Sequence, residues 1–317
     1  ALSRFVTRDV KFAHFTVSDL ATGKFHFFQK LSRGAYGEAG FDKKTESEPQ
    51  RAQRAQSEEG ADRNPHSSSS VPSVSSVVNL AWIDDWSCEL TGKNTFRLRA
   101  TKDDIALDLN LASTKPPVIH GANGLSQKAA GEGRASHYYS LTRLASEGTL
   151  RIGQEEFAVT GLSWFDHEWA TNQLAENQIG WDWFSLQFDD GSELMLFQLR
   201  TKDGTRDAFS SGTFIDAKGK ATPIANADFT LEPGETWKSP ETGGSYPTTW
   251  RIAIPRLGLQ LDLRAALKDQ ELRLQPVVYW EGAVRATGTV HGNGIKGSGY
   301  LEMTGYAGPI AGMQVDR

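Results

Sequence analysis

The chain has 317 residues, with 34 Lys and Arg against 39 Asp and Glu, a formal net charge of −5 and a single cysteine, Cys88. The mild acidity argues against a phosphate-backbone binder, and the lone cysteine excludes an intramolecular disulfide framework and a thiolate metal cluster. Mean hydropathy is −0.46, and no apolar run reaches the length of about 18 residues that a transmembrane helix needs.

Nine Trp, 16 Phe, seven Tyr and 31 Gly fit a chain of twisted strands and tight turns that buries large side chains. Helix-period patterns are scarce. In chain order, Phe12–Val17 and Lys24–Phe28 flank Ala21-Thr22-Gly23 and predict a hairpin. Residues 42–77 run through Glu, Gln, Arg, Ala and Ser with hardly a large apolar residue, and predict a polar surface insertion. Phe96–Ala100 and Ile105–Leu111 predict a second hairpin; Phe184–Phe188 and Leu194–Leu199, around Asp189-Asp190-Gly191, predict a third. Leu257–Leu263 alternates almost without error. Many short strands at close spacing predict an all-β sandwich or barrel. The polar Ala170–Gln178 stretch places a boundary near residue 173, giving domains 1–172 and 173–317.

The densest chemistry lies at Trp164-Phe165-Asp166-His167-Glu168-Trp169. Side chains alternate along a strand, so Phe165, His167 and Trp169 share one face, and Trp164, Asp166 and Glu168 the other. An imidazole among aromatic rings suits proton transfer near neutrality, with Trp169 positioned to stabilise positive charge. The structural alternative is a core histidine satisfied by backbone. Asp182, between Trp181 and Trp183, is costly to bury without a partner. It is expected either to orient His167 or to pair with Arg200 on the next strand. Tyr138 and Tyr139 add polar-tipped aromatics. There is no nucleophile elbow, zincin motif or phosphate loop, and Gly292-Asn293-Gly294 and Gly297-Ser298-Gly299, in a strand-like segment with no helix following, are expected to be turns. The expected site therefore has His167, Asp166 and Asp182 as catalytic groups. Trp164, Trp169, Trp181, Trp183, Tyr138 and Tyr139 are the expected substrate-binding groups, without metal or other cofactor.

Tyr138-Tyr139-Ser140, the 164–169 block, Trp183–Leu194, Tyr279-Trp280-Glu281-Gly282 and Gly299–Tyr306 together resemble the AttH-like family, related to the carotenoid 1,2-hydratases and often labelled predicted secreted hydrolase. The resemblance runs from about Val10 to Tyr306. It implies two lipocalin-like (calycin-type) antiparallel β-barrel domains in tandem. It also implies a periplasmic or secreted, or lipid-anchored, component associated with an ABC transport system. In the hydratases a His-x-Trp and a Tyr-x-Asp on neighbouring strands form the catalytic set. His167-Glu168-Trp169 matches the first, while Leu194–Leu199 holds no Tyr-x-Asp. Two functions follow as expectations. The leading one is a binding protein for an apolar or lipid-like small molecule, partnered with a transporter permease complex and not with nucleic acid. The alternative is an acid–base hydratase, isomerase or hydrolase acting on an isoprenoid or lipid-like substrate.

Overall fold

A computed structural model describes residues 11–32, 37–41, 78–170, 174–274 and 277–308; the expected polar insertion at 42–77 lies outside the described residues. The fold is all-β, built from lipocalin-like curled antiparallel sheets. Among the described residues no helix is long and apolar enough to cross a membrane.

The chain forms two compact units that interleave in sequence. Of the described residues, the first takes those within 11–15, 28–112 and 145–161, and the second those within 16–27, 113–144 and 162–308. The described residues from 174 onward thus lie wholly in the second unit. The strands Ala135–Ile152 and Glu155–Trp169 contribute residues to both.

In the first unit, Ala39–Phe41, Val78–Ile83, Trp86–Gly92, Thr95–Lys102 and Ile105–Ser113 follow one another as antiparallel neighbours. Period-two alternation puts Trp86, Phe96, Ala100, Ile105 and Leu111 on its buried face, where Phe15 meets Trp86 edge-on at 5.8 Å. The expected hairpins at 12–28 and 96–111 form as Lys11–Asp19 with Lys24–Ser32 and as Thr95–Lys102 with Ile105–Ser113.

The second unit carries a 10-stranded antiparallel sheet. Its middle is the trio Glu193–Thr201, Gln178–Phe188 and Asn293–Thr304, with Val278–Val290 beyond. On one face Phe184, Leu186, Leu194, Leu196, Trp250, Leu261, Trp280, Leu301 and Met303 form the main core. Each such side chain contributes about 1.5–3 kcal/mol by leaving water. On the other face Met195, Phe197 and Leu199 pack with Tyr138, Leu174, Trp164, Trp181 and Trp183. Gly299 belongs to a strand, not a loop: a Cβ there would lie 1.9 Å from the Ser185 carbonyl oxygen, so only glycine admits this close approach. His291 and Gly292, at φ 48° and 80°, close the last hairpin.

Residues 135–144 and 162–169 lie over the second face of this sheet and are fixed there by a buried anchor. Glu193, fully buried, accepts from Lys115 Nζ at 2.7 Å, from Thr142 Oγ1 at 3.4 Å and from Arg143 Nε. Lys115 also donates to the Gly191 and Asp216 carbonyls at 2.6 and 2.9 Å. Gln187 Nε2 donates to the Thr142 and Ser163 carbonyls at 2.7 and 3.0 Å, tying one strand of each layer to the other.

Candidate active site

Alternation along Glu155–Trp169 separates its chemistry as its parity predicts. Trp164, Asp166 and Glu168 meet Ser136, Tyr138 and Ser140; Phe165, His167 and Trp169 meet His137 and Tyr139.

Asp166 is the hub of the first face. Ser140 Oγ and Trp164 Nε1 donate to its Oδ1, the latter at 2.6 Å, and Tyr138 OH donates to Oδ2 at 3.0 Å. Tyr138 OH in turn accepts from Trp183 Nε1 at 3.1 Å, and Trp183 meets Trp164 edge-on at 6.4 Å. Behind Ser140 lies His120, only 1% exposed. Its Nε2 is 2.8 Å from Ser140 Oγ and its Nδ1 2.9 Å from Thr213 Oγ1. Since the serine hydroxyl gives its proton to Asp166, His120 donates from Nε2 and accepts from Thr213 at Nδ1. Burial, helped by Lys128, pulls His120 down to about 3, so the ring is neutral and holds this tautomer.

By surface area Asp166 is open to solvent, yet protein surrounds it closely enough to restrict hydration. That restricted hydration pushes its carboxyl up to about 6, against the hydrogen bonds from Ser140, Trp164 and Tyr138, with Glu168 adding repulsion. The carboxyl can therefore both take and give a proton near neutrality. Tyr138 is raised well above the usual phenol range by burial and by Asp166 and Glu168, so it remains a donor. Glu168 accepts from Ser136 and pairs with Lys128 Nζ at 3.1 Å, while that ammonium also lies 3.8 Å over the Phe197 ring.

Two further carboxyls share this side of the sheet. Glu302 is the cross-strand partner of both Trp183 and Glu281. Burial raises both glutamates; at Glu302 repulsion from Glu281, Glu168 and Asp166 adds to it, while Trp181 donates to Glu302 and Tyr300 to Glu281.

Of the residues expected from sequence, Asp166, Trp164, Tyr138, Trp181 and Trp183 lie on this inner side. His167, Trp169 and Tyr139 occupy the opposite face of the strand pair. His167 Nδ1 is 3.1 Å from Tyr139 OH, and its ring is 4.7 Å from Trp169, itself 49% exposed. Partial burial lowers the His167 imidazole. The expected Asp182–His167 hydrogen bond does not form. Asp182 has the parity of Phe184 and Leu186 and therefore points to the main core. There it is fully buried, accepting from Gln198 Nε2 at 2.7 Å and forming an ion pair with Arg200, whose Nε lies 3.3 Å away, the other option held open from sequence. Burial raises its carboxyl and Arg200 opposes the rise.

His120, Ser140, Glu281 and Glu302 were not expected as site residues. Alternation held a signal for the glutamates: Tyr279 and Glu281, and Tyr300 and Glu302, have parity opposite to Trp280, Leu301 and Met303. His120 and Ser140 carry no local signal, because their meeting depends on Thr213 from a distant strand.

Among the described residues, two cavities lie in the first unit: one of about 210 Å³ is lined chiefly by apolar residues such as Phe12, Phe15, Trp86 and Leu98, with His14 and Cys88 among them, and one of about 560 Å³ is lined by Asp84, Asp85, Glu89, Asp108 and Glu156 with Arg99 and Arg151.

The curled antiparallel sheets define a lipocalin-like protein with a carboxyl-centred polar cluster on the inner side of the 135–144 and 162–169 strands. The AttH-like family model matches residues 1–306, and the chain belongs to that family. A crystal structure assigned to AttH from Nitrosomonas europaea superposes with a TM-score of 0.75 at 31% identity, covering 96% of this chain and 83% of the other. Kievitone hydratase from Nectria haematococca shares the fold, with a TM-score of 0.66 at 18% identity over 94% of this chain and 80% of that one. In sequence, the dehydratase asqC of Emericella nidulans is 24% identical over 220 residues, 66% of this chain and 61% of the relative. Kievitone hydratase of Fusarium solani subsp. phaseoli is 22% identical over 222 residues, 68% and 61% respectively. The chain thus spans about three fifths of the length of these curated relatives.

Proposed function

We propose that the protein is an acid–base enzyme that adds water to, or eliminates it from, a neutral organic substrate, with Asp166 as the proton-transferring group. The observation that carries this reading is the Asp166 carboxyl itself: accessible, held by three donors, and pushed up to about 6. Ser140, Trp164 and Tyr138 fix its orientation and favour the ionised form, which leaves the free side of Oδ2 to accept a substrate C–H proton. His120 holds Ser140 in the donating orientation. In the elimination direction the C–H electron pair becomes the new π bond and the hydroxyl leaves; hydration is the reverse.

The names of the hydratase and dehydratase relatives support this reading over that of a ligand carrier. The surrounding chemistry supports a neutral substrate: Asp166, Glu168, Glu281 and Glu302 repel anions, and the partly buried Trp164, Trp181 and Trp183 keep the neighbourhood aromatic and apolar.

The test is oxygen exchange. The full chain is incubated in heavy-oxygen water with kievitone and a panel of neutral alkenes and alcohols, and the products are weighed by mass spectrometry. Heavy oxygen is expected in at least one panel member and absent with Asp166→Asn. Incorporation by neither protein, or by both equally, refutes the assignment.

A further inference from the structure

We propose that Glu281 and Glu302 share a single proton across neighbouring strands and act as the general acid that works opposite Asp166. The catalytic half of this proposal rests on the acid–base reading above; the shared proton does not.

The placement follows from strand register. Glu281 and Glu302 are direct cross-strand partners, and Trp183 is the partner of Glu302 on the next strand. Side chains so paired stand about 4.5–5.5 Å apart at Cβ on the same face. That face is opposite to Trp280, Leu301 and Met303, which fill the main core. Both glutamates are only partly accessible.

Among the described residues neither forms an ion pair. Lys128 is engaged by Glu168, and Arg200 by Asp182. The groups acting on the two carboxyls are the donors Trp181 and Tyr300, and the like charges Asp166 and Glu168 on the strand above. Tyr300 also lies 3.4 Å from Thr16 Oγ1. Two adjacent carboxyls without a cation do not both ionise near neutrality; one retains a proton and the second holds it in place. Burial acts in the same direction.

The dyad is also placed to work with Asp166. Trp183 donates to the Tyr138 hydroxyl, and that hydroxyl donates to Asp166. One indole and one phenol therefore join the Asp166 network to the row that holds Glu302. During elimination Asp166 takes the C–H proton, the C–H pair forms the double bond, and the C–O bond breaks. The departing hydroxide leaves as water with the dyad's proton. Asp166 then holds one proton more and the dyad one fewer, and exchange with solvent restores both. In hydration the dyad is the base that activates water, and protonated Asp166 delivers the proton to the alkene.

The experiment uses the full chain with carbon-13 at the glutamate side-chain carboxyls, titrated by NMR. One protonated glutamate carboxyl per chain is expected at neutral pH in the wild type. It should disappear in Glu281→Gln and in Glu302→Gln and persist in Asp166→Asn. Wild-type protein with every glutamate ionised at neutral pH overturns the shared proton, whatever the variants do. So does a protonated signal that survives both glutamine substitutions. In the oxygen-exchange assay Glu302→Gln is expected to lose about a hundredfold or more in rate. Full exchange by Glu302→Gln removes the dyad's acid role while leaving the Asp166 reading intact. Full exchange by Asp166→Asn removes that reading while leaving the shared proton intact.

Discussion

Removing the Ser140 hydroxyl isolates the balance that sets Asp166. Ser140→Ala deletes the donor that most strongly opposes the rise of the carboxyl caused by burial. A hydrogen bond to a charged group is worth about 1.5–3 kcal/mol, and the lower end applies because Asp166 is open to water. At about 1.4 kcal/mol per unit, loss of the bond raises the carboxyl by about one unit. Its titration, at about 6 in the intact protein, therefore moves upward and Asp166 is half protonated near neutrality. The same change strands the His120 Nε2 proton in the core, so the variant also loses stability. The assay is a carbon-13 titration of labelled aspartate carboxyls, with the Asp166 signal assigned by its absence from Asp166→Asn. A midpoint that stays put or falls refutes the account of what holds Asp166 in place.

Other expectations follow from the same geometry. Glu193→Ala leaves Lys115 and Arg143 facing an empty buried position and is expected to cost about 3–5 kcal/mol in urea unfolding, whereas Asp108→Ala, at the exposed Arg97 pair, costs under about 1 kcal/mol; equal losses contradict the anchor. His167→Ala removes an outward-facing ring, so oxygen exchange should stay within a few-fold of wild type; its abolition returns catalysis to the outer face. The Asp166 carboxyl is raised in the folded chain from its ordinary 3.8. Its contribution to stability is therefore fully present below that value and lost as pH rises through about 6, a trend that paired wild-type and Asp166→Asn melts across this range should reveal. A wild-type stability that rises relative to Asp166→Asn as pH increases has the wrong sign.

Much of the fold was legible because strand alternation is a local property. The hairpins at 11–32 and 95–113 and the two faces of 164–169 need only a residue's neighbours to be read. The site was legible only in part. Asp166, Trp164 and Tyr138 were legible through composition, as was His167, which strand parity puts on the outer face with Trp169 and Tyr139. Parity already placed Asp182 with Phe184 and Leu186, although the flanking tryptophans suggested a working residue. Trp164 and Glu168 are two positions from Asp166, but its other partners, and those that pair Glu281 with Glu302, come from segments about 20 to 120 positions away in the chain, and only sheet register brings them together.

The adjacency of Asp166 and His167 on opposite faces also constrains how this segment can vary. Substitution on the outer face leaves the inner carboxyl where it is. Loss or gain of one residue between the Glu155 strand start and Trp164 exchanges the faces, turning the imidazole inward and the carboxyl out. Viable descendants of this sequence should therefore tolerate replacement at 165, 167 and 169 while keeping the length of the preceding stretch fixed, apart from paired insertions or a compensating bulge. A length-scanning library over 155–163, selected for folding and separately for turnover, would show this as a two-residue rhythm in activity.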